Sequence, residues 1–553
     1  MKHRDKSNKT VYLPLLAAAA ASMLVTPTAF AGKLDMGDTE LKVNWDNTFK
    51  YSAAWRLKDP NQTIAASATN PNVDFGDLGH DKGLINNRFD LLSELDVSYK
   101  NLGMRVSGAA WYDNEYDKKD NDYAGSAPNN QRQLASGRFN QTNAASRKVM
   151  AHKAELADAF VFGKFALTDE QNLTVRAGRH TLLFGETLFL GANGIAAAQG
   201  PVDLVKLFSL PNSQFKEIAI PVNQVSANVQ LSPGVSLSGY SQYEWRSLRI
   251  PSSGSYFSMA DFAGDGGDLL LNPVNGAATR GNDFKGRNSG QYGLQLKFKG
   301  GSVDYGLYAA RYDDKAPIFV LNAATGQYNA MYSQGVRTYG ASASTVIGET
   351  NVAVEMSTRR NTPLTVIGDL FITTDPHANN DGNTPYARGN SFHTNVSSIT
   401  VLPGTSVWDG ASFVGELAFN RLLSVTHDPI SGVTGLPALN STHTRDATAM
   451  RFVFQPEYFQ VFPGVDLQVP IGVGYGINGR SAIFQASPEH GGDLSIGINA
   501  DYMKTWRANI NFVHYYGAKG PAPAVGVAAG TYASYKQYYG DRDYISFSLQ
   551  RTF

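Results

Sequence analysis

Residues 86–113, NNRFDLLSELDVSYKNLGMRVSGAAWYD, decide the fold class of this 553-residue chain. Apolar and charged side chains alternate along the first half, with Phe89, Leu91, Leu95 and Val97 on one face and Arg88, Asp90, Glu94 and Asp96 on the other. Such a strand can cross a bilayer, because lipid offers no hydrogen bonds to a polar face and the other face is apolar. A short turn at Asn101 and a second strand-like run follow. The stretch therefore predicts a membrane-spanning β-hairpin.

Segments of this kind recur along the whole chain, and short turns alternate with long connections between them. We predict eighteen strands at residues 39–55, 86–100, 102–113, 151–165, 171–180, 218–232, 234–248, 286–300, 301–313, 335–347, 349–360, 388–402, 410–423, 445–460, 463–476, 490–502, 505–517 and 539–553. Short periplasmic turns and long outer loops are typical of bacterial outer-membrane barrels, whereas a soluble sandwich has no reason to alternate them. The sequence predicts an all-β, transmembrane antiparallel β-barrel of about 18 strands, within a range of 16–18.

The N-terminus has the features of a secretory signal peptide. Basic residues lie between positions 2 and 9, an apolar run covers 11–25, and Ala29 and Ala31 provide a small-residue cleavage site. We therefore predict a signal peptide at 1–31 and an outer-membrane barrel at 32–553.

The C-terminus carries a separate signal, because Ile545, Phe547, Leu549 and the terminal Phe553 lie on one face of the last strand. This pattern resembles the C-terminal strand that the barrel-assembly machinery recognises in outer-membrane proteins. Arg551 departs from the aromatic or apolar residue usual at its position. Phe553 is thus the predicted assembly signal, and the assembly machinery is a predicted partner.

Inward-facing positions of the predicted strands collect charged side chains of both signs. These candidate lumen residues are Arg88, Asp90, Glu94, Asp96, Glu244, Arg246, Lys297, Glu355, Arg359, Glu416, Arg451, Glu457, Asp466, Asp493, Asp501 and Arg507. Because both signs are mixed, the sequence does not indicate a strongly anion- or cation-selective pore. These residues can form salt bridges across the interior, or they can line a polar route for a permeant. The sequence does not distinguish the two interpretations.

Residues 181–217 are long and apolar for a loop. An exposed loop of this composition would lower solubility unless it were buried. We therefore predict that it folds into the lumen and gates the pore, with a candidate gate formed by Leu182, Leu183, Phe184, Gly185, Glu186, Leu188, Phe189 and Leu190. The alternative is a loop that packs over the rim, or against a partner or lipopolysaccharide. A second apolar loop, 256–262, could cap the mouth.

Signals for catalysis or metal binding are weak. The chain has no cysteine, its histidines lack the spacing of zinc ligands, and no G-x-S-x-G motif is present. Asp261, Asp265 and Asp268, and the acidic stretch 113–122, could bind Ca²⁺, but such stretches are more often solvated loops. We predict no catalytic residue, no metal and no cofactor, and the balanced charge gives no indication of nucleic-acid binding.

Four motifs resemble a proteobacterial outer-membrane family catalogued as domain of unknown function 1302. They are GRHTLLFGETLFL at 178–190, NGIAAAQGPVDL at 193–204, FKEIAIPV at 215–222 and YFSMADFAGDGG at 256–267. The family often has Trp where this chain has Phe184, and Asn where it has Gly200. The resemblance implies traffic of an apolar or lipid-like molecule, with a periplasmic lipoprotein-carrier-like protein and a resistance-nodulation-division exporter as partners. It supplies no catalytic residues.

The predicted function is a monomeric channel for a hydrophobic or amphipathic organic compound, gated by the 181–217 loop. A general diffusion porin, an outer-membrane hydrolase and a structural barrel with a filled interior are the alternatives. Neither the permeant nor the direction of transport follows from the sequence.

Overall fold

Eighteen antiparallel strands close into one barrel. The computed structural model describes residues 32–34, 39–65, 71–73, 75–118, 120–123, 135–209, 215–272, 276–366, 369–526 and 530–553. In chain order, strands β1 to β18 span Leu41–Arg56, Gly83–Tyr99, Leu102–Asp113, His152–Ala166, Asn172–His180, Val222–Ser232, Val235–Gln242, Gln291–Gly300, Val303–Tyr312, Val336–Ile347, Thr350–Pro363, Arg388–Leu402, Gly410–His427, Asp446–Phe462, Val465–Gln468 with Ile471–Asn478, Gly492–Tyr502, Trp506–Tyr516 and Tyr544–Thr552. The predicted signal peptide lies outside the described residues.

Each strand pairs with its neighbours in sequence, and β18 pairs with β1 to close the barrel. A short strand, Gly32–Leu34, adds to the start of β1. β15 is divided at Pro470, because proline has no N–H to donate to a ladder. The predicted fold class and strand number are confirmed.

Several predicted strands are too long at one end, and the predicted strand 234–248 is the case that affects candidate site residues. The expected strand 234–248 ends at Gln242, so Glu244 and Arg246 lie beyond the end of β7 and not on the barrel wall. The Glu244 side chain accepts the backbone N–H of Asn223 at 3.0 Å, and a continued ladder would need a backbone partner at that point. The side chain of Glu244 thus ends the strand pairing of β7, although the apolar–polar alternation of the sequence continues beyond Gln242.

The helices are short. Helices α1 to α5 span Phe75–Leu78, Asn114–Asp117, Ala144–Met150, Leu204–Ser209 and Phe215–Ile218, and a 3-10 turn spans Ile195–Ala198. None of the helices in the described part of the chain is long and apolar enough to cross a membrane.

The long connections form a second sheet, which we call the extracellular cap. Its seven strands, contributed by four connections, are Leu269–Asn272, Gly276–Arg280, Ile318–Asn322, Gln327–Met331, Leu370–Thr373, Pro523–Gly526 and Gly530–Ala533. Val320, Tyr328 and Ala330 are buried within it. Phe262 of the predicted capping loop packs against the cap, and Tyr256 packs near the start of β18, against Tyr544.

The topology predicts which connections an external reagent reaches. We expect an epitope tag inserted at Asn379, in the long connection between β11 and β12, to bind antibody on intact cells. A tag at Gly301, in the two-residue turn between β8 and β9, should bind only after the outer membrane is permeabilised. Surface labelling at Gly301 would reverse the assigned orientation.

Phe553 joins the two ends of the barrel. Its N–H donates to the carbonyl of Asn47 at 2.9 Å, its carbonyl accepts the N–H of Asn47 at 2.8 Å, and its ring stacks on Phe49 with centroids 5.5 Å apart. The terminal residue therefore extends the β18–β1 ladder that removes the open edge of the sheet.

Deletion of Phe553 should lower the yield of folded barrel in the outer membrane, because both backbone bonds and the ring contact at the closing seam are lost. The measurement is the heat-modifiable band of membrane fractions at low expression level. Phe553→Tyr keeps the stacking surface and serves as the control, so equal yields of the deletion and wild type would contradict an assembly role.

Candidate functional site

We call residues 181–217 the inner loop, and its described residues, 181–209 and 215–217, lie inside the barrel. It contacts Glu355 on β11 and Glu416 on β13, both of which are almost fully buried. Their sequence neighbours Met356 and Leu417 are 48% and 41% exposed, respectively. Because successive side chains of a strand point to opposite faces, the exposed residues face lipid and the two glutamates face the lumen. A loop that contacts both glutamates is therefore in the lumen.

Glu355 binds the backbone of the inner loop at two places. Its carboxylate accepts the N–H of Glu186 at 2.7 Å and that of Ile195 at 2.6 Å. Gly185 and Gly194 allow this approach, because a Cβ at either position would lie 2.1 Å and 2.5 Å from the carboxylate oxygens. Gly185 also has a φ of 97°, which favours glycine. The two glycines thus admit a charged side chain to the loop backbone.

Glu416 binds three consecutive N–H groups of the inner loop. Oε2 accepts from Leu188 at 3.2 Å, from Phe189 at 2.6 Å and from Leu190 at 2.8 Å. Oε1 accepts from the side-chain amide of Asn395 at 2.7 Å. A carboxylate with four donors satisfies backbone groups that would otherwise be buried without partners, and charge-assisted bonds are stronger than neutral ones.

Between the two glutamates, Arg359 and Asn193 complete the attachment. Nη2 of Arg359 donates to the carbonyls of Ala192 and Gly194, each at 2.8 Å. The Asn193 amide donates to Asn395 at 2.9 Å, and its oxygen lies 3.1 Å from Nδ1 of His393. Arg359 therefore binds carbonyl groups of the turn at 192–194, whereas Glu355 binds the N–H of Ile195, which follows the turn.

Two lysines also contact the inner loop. Nζ of Lys297 lies 2.9 Å from the carboxylate of Glu186. Nζ of Lys315, in the connection between β9 and β10, donates to the carbonyl of Ala198 at 3.4 Å. Burial lowers the pKa of Lys315 to about 8, against the opposing effect of Asp314 and Asp313.

Apolar contacts add to this attachment. Phe184 and Ile195 pack with Tyr240 and Tyr308 of the wall. Phe189 and Leu190 pack with Ala418 and Val453. Within the predicted gate, Phe184, Phe189 and Leu190 are buried, whereas Leu182, Leu183 and Leu188 are partly buried. The apolar side chains that indicated burial in the sequence therefore lie against the inner wall.

The remaining predicted lumen residues do not bind the inner loop. Most form ion pairs, namely Arg88–Asp90 at 2.6 Å, Arg451–Asp493 at 2.5 Å, Arg507–Asp501 at 2.7 Å, Arg179–Glu244 at 2.9 Å, and Glu94 and Asp96 with Arg105. Glu457 and Asp466 lie towards the periplasmic ends of β14 and β15, and Arg246 donates to the carbonyl of Pro221. Their role in lining a route stays a prediction.

Sequence reasoning missed Asn193, His393 and Asn395, which connect the loop to the wall. The only signal was the pair of glycines beside Asn193. An asparagine between glycines indicates a turn, but it does not identify a partner two hundred residues away.

An aromatic cluster lies where the inner loop meets the barrel mouth. Phe208 of α4 packs against Phe257, with ring centroids 6.0 Å apart, and against Tyr539 at 5.3 Å. Tyr544 contacts Phe257 at 5.7 Å. Phe208, Phe257 and Tyr538 are only partly buried. The cluster therefore leaves apolar surface accessible within the mouth.

A charged cluster lies beside the aromatic cluster, where the guanidinium of Arg542 lies 5.4 Å from the Tyr539 ring. Arg56 and Asp77 form a fully buried ion pair at 2.5 Å, and Asp541 lies 3.4 Å from the same guanidinium. Burial and the neighbouring Asp77 carboxylate raise the pKa of Asp541 to about 6. Burial lowers the pKa of the adjacent His80 to about 4. These groups attach the first and last long connections to each other.

The predicted acidic loops do not form a metal centre. The Asp261 carboxylate accepts the N–H of Phe75, and Asp113 caps α2. Across the described ranges, no three histidine or acidic side chains converge on a point that could hold a metal ion.

A family model described as "Protein of unknown function (DUF1302)" matches residues 12–553. No curated protein sequence matches the chain. Among solved structures, Acinetobacter baumannii OccAB1 is similar with a TM-score of 0.40 and 10% identity, over 92% of this chain and 96% of that one. Pseudomonas aeruginosa OpdK gives 0.40 and 10% over 92% and 98%. Salmonella typhi OmpF, in complex with daunomycin, gives 0.36 and 9% over 94% and 100%. The likeness is distant.

Proposed function

Since this chain belongs to the family described as "Protein of unknown function (DUF1302)", we propose its function from the geometry of its own barrel. It is an outer-membrane channel for a hydrophobic or amphipathic organic compound, and the inner loop is its gate. The observation that carries the proposal is the attachment of an apolar loop to the lumen wall through the carboxylates of Glu355 and Glu416.

The attachment supports a gate over a permanently filled barrel because, beside the apolar contacts, it includes polar bonds at a few residues. The loop binds the wall through backbone N–H groups and a few carboxylates, and water or a permeant can replace such bonds. A structural filling would need only apolar packing. A general diffusion porin would need a lumen that is open without any movement of the loop.

The aromatic cluster supports an apolar permeant. Phe208 lies on the inner loop, whereas Phe257 and Tyr538 lie in the connections above it. Partly exposed aromatic surface in a mouth otherwise lined with ion pairs can bind an apolar molecule, since its burial releases water from both surfaces. A permeant that binds there contacts the loop it must move.

The resemblance adds the proposed partners. A periplasmic carrier of lipoprotein-carrier type and an inner-membrane exporter of the resistance-nodulation-division type would continue the route on the periplasmic side.

Growth of a deletion strain on a panel of carbon sources tests the proposal. We expect slower growth or altered tolerance on long-chain and polycyclic hydrophobic compounds, with unchanged growth on sugars and short organic acids. Complementation with the wild-type gene restores the wild-type pattern. An equal defect on hydrophilic sources would favour a general porin, and no defect on any source would contradict a transport role.

A further inference from the structure

The wall of the barrel is incomplete beside β4. β5 pairs with Ala159–Ala166 of β4 and then ends at His180, where the chain turns into the lumen. In the described part of the chain, no strand pairs with residues 152–158 on that side, although β3 pairs with residues 152–156 on the other. We call this stretch the open edge of β4.

The open edge lies at membrane depth. Ala154 is in register with Ala110 of β3, and Ala110 is in register with Leu91, the central residue of the 17-residue strand β2. Hydrocarbon cannot hydrogen-bond a free strand edge, so such an edge is tolerated only where it is covered or borders a polar cavity. The edge must therefore face a space other than plain lipid.

Two arginines bring polar groups to the open edge. Nη1 of Arg179 donates to the carbonyl of Leu156 at 3.4 Å, and its Nη2 pairs with Glu244 at 2.9 Å. Glu155, whose side chain faces the lumen, pairs with Arg249 at 2.5 Å. Polar side chains thus reach the open edge from both faces: Arg179 is in register with Ala159 and lies on the outward face, whereas Glu155 and Arg249 lie on the lumen side.

The membrane side has a groove of apolar and small residues. A cavity of about 420 Å³ is lined by Leu91, Ser93, Gly108, Ala110, Ala154 and Leu156. Tyr112 is exposed on the outer face above it, and Tyr99 is exposed below it. The cavity thus lies between the aromatic residues that mark the two interfaces, within the apolar band. Ala109 and Glu155 of the inward face also line it.

A β-bulge interrupts the pairing of β3 with β4 beside the groove. β3 advances two residues, from Val106 to Gly108, while β4 advances three, from Ala159 to Leu156. The N–H of Asp158 then bonds to the Ser107 hydroxyl at 3.0 Å in place of a ladder partner. The wall is therefore irregular where it is also unpaired.

We propose that the groove and the open edge of β4 form a lateral portal through which an apolar molecule passes between the bilayer and the lumen. The occupant is the apolar permeant itself, because the outward-facing residues that line the groove, Leu91, Ser93, Gly108, Ala110, Ala154 and Leu156, are apolar or small. This inference rests on the proposed channel function and gives its route a membrane-side opening.

Cysteine labelling tests the portal, since the native chain has no cysteine. Ala109→Cys places a thiol on the inward face beside the groove, and Ala449→Cys places one on the inward face of β14, which is paired on both sides. The proteins are inserted in phosphatidylcholine vesicles. They are labelled with pyrenyl maleimide, which dissolves in the bilayer, or with a sulfonated maleimide, which stays in water.

We expect the ratio of pyrenyl to sulfonated labelling to be roughly tenfold higher at Ala109→Cys, because the apolar reagent is concentrated in the hydrocarbon that the portal adjoins. Adding Gly108→Leu should lower the ratio to that of Ala449→Cys. The new side chain fits, since a Cβ at Gly108 would meet only the carbonyl of Glu155 at 3.6 Å. Ala341→Leu, on the lipid face of β10, is the matched control and should change nothing.

Equal ratios at the two thiols would overturn the portal, as would an Ala109→Cys ratio that Gly108→Leu leaves unchanged. Either result would mean that a lipid chain merely rests in the groove. Failure of the portal is distinguishable from failure of the channel, because opening of the inner loop is measured as ion conductance and does not require a membrane-side route.

Discussion

Replacing residues 187–200 by a Gly-Ser-Gly linker should convert a nearly closed barrel into one with large, steady single-channel conductance. The deletion removes Phe189 and Leu190, the N–H groups bound by Glu416, and the turn bound by Arg359. The three apolar gate side chains that the deletion removes, Leu188, Phe189 and Leu190, contribute several kcal/mol of docking at about 25 cal/mol per Å², before the cost of ordering the loop. Without the docked segment, the lumen should fill with water.

Planar bilayer recording provides the measurement, and sensitivity of cells to bulky antibiotics provides a second. The variant must still migrate as a heat-modifiable barrel. A correctly folded variant that conducts no better than wild type would show that another segment, such as the extracellular cap, closes the interior.

Glu416→Ala should release the inner loop without shortening it. Three backbone N–H groups lose their acceptor, and each hydrogen bond to a charged group contributes about 1.5–3 kcal/mol. A net loss of about 3 kcal/mol would raise the population of released loop by roughly a hundredfold. We expect frequent, brief openings in bilayer recordings where wild type shows few.

Two variants make this result specific. Glu416→Gln keeps an acceptor oxygen without the charge, so its openings should be intermediate in frequency. Glu457→Ala removes an inward-facing carboxylate near the periplasmic end of β14 that has no contact with the inner loop, and it should behave as wild type. Equal effects of Glu416→Ala and Glu457→Ala would indicate a general electrostatic change and not release of the loop.

The sequence predicted the barrel well because a spanning strand has a strong physical signature. Lipid requires every second side chain to be apolar, and a one-residue shift would turn the whole strand inside out. The same argument predicted the lumen location of Phe184 and Leu190, since apolar side chains in a loop need a place to be buried. Both conclusions depend only on local composition.

The attachment of the loop could not be predicted in the same way. Glu355 and Glu416 appeared as two of many inward charges, and their alternation is the same whether they bind a neighbouring arginine or a loop backbone. The extracellular cap was missed because its strands have four or five residues and pair across distant connections, some in parallel. Strands of four or five residues are too short to show the alternation of apolar and polar side chains in the sequence.

The uneven length of the strands has a consequence for the surrounding bilayer. β7 has 8 residues and β13 has 18. At about 3.3 Å per residue and a tilt of about 40°, these correspond to heights of roughly 20 Å and 45 Å, against an apolar band of about 25 Å. The membrane beside β7 should therefore thin locally to match the low wall there. Lipids with short or disordered chains should gather along that side, so the barrel creates a patch of softened membrane on one flank.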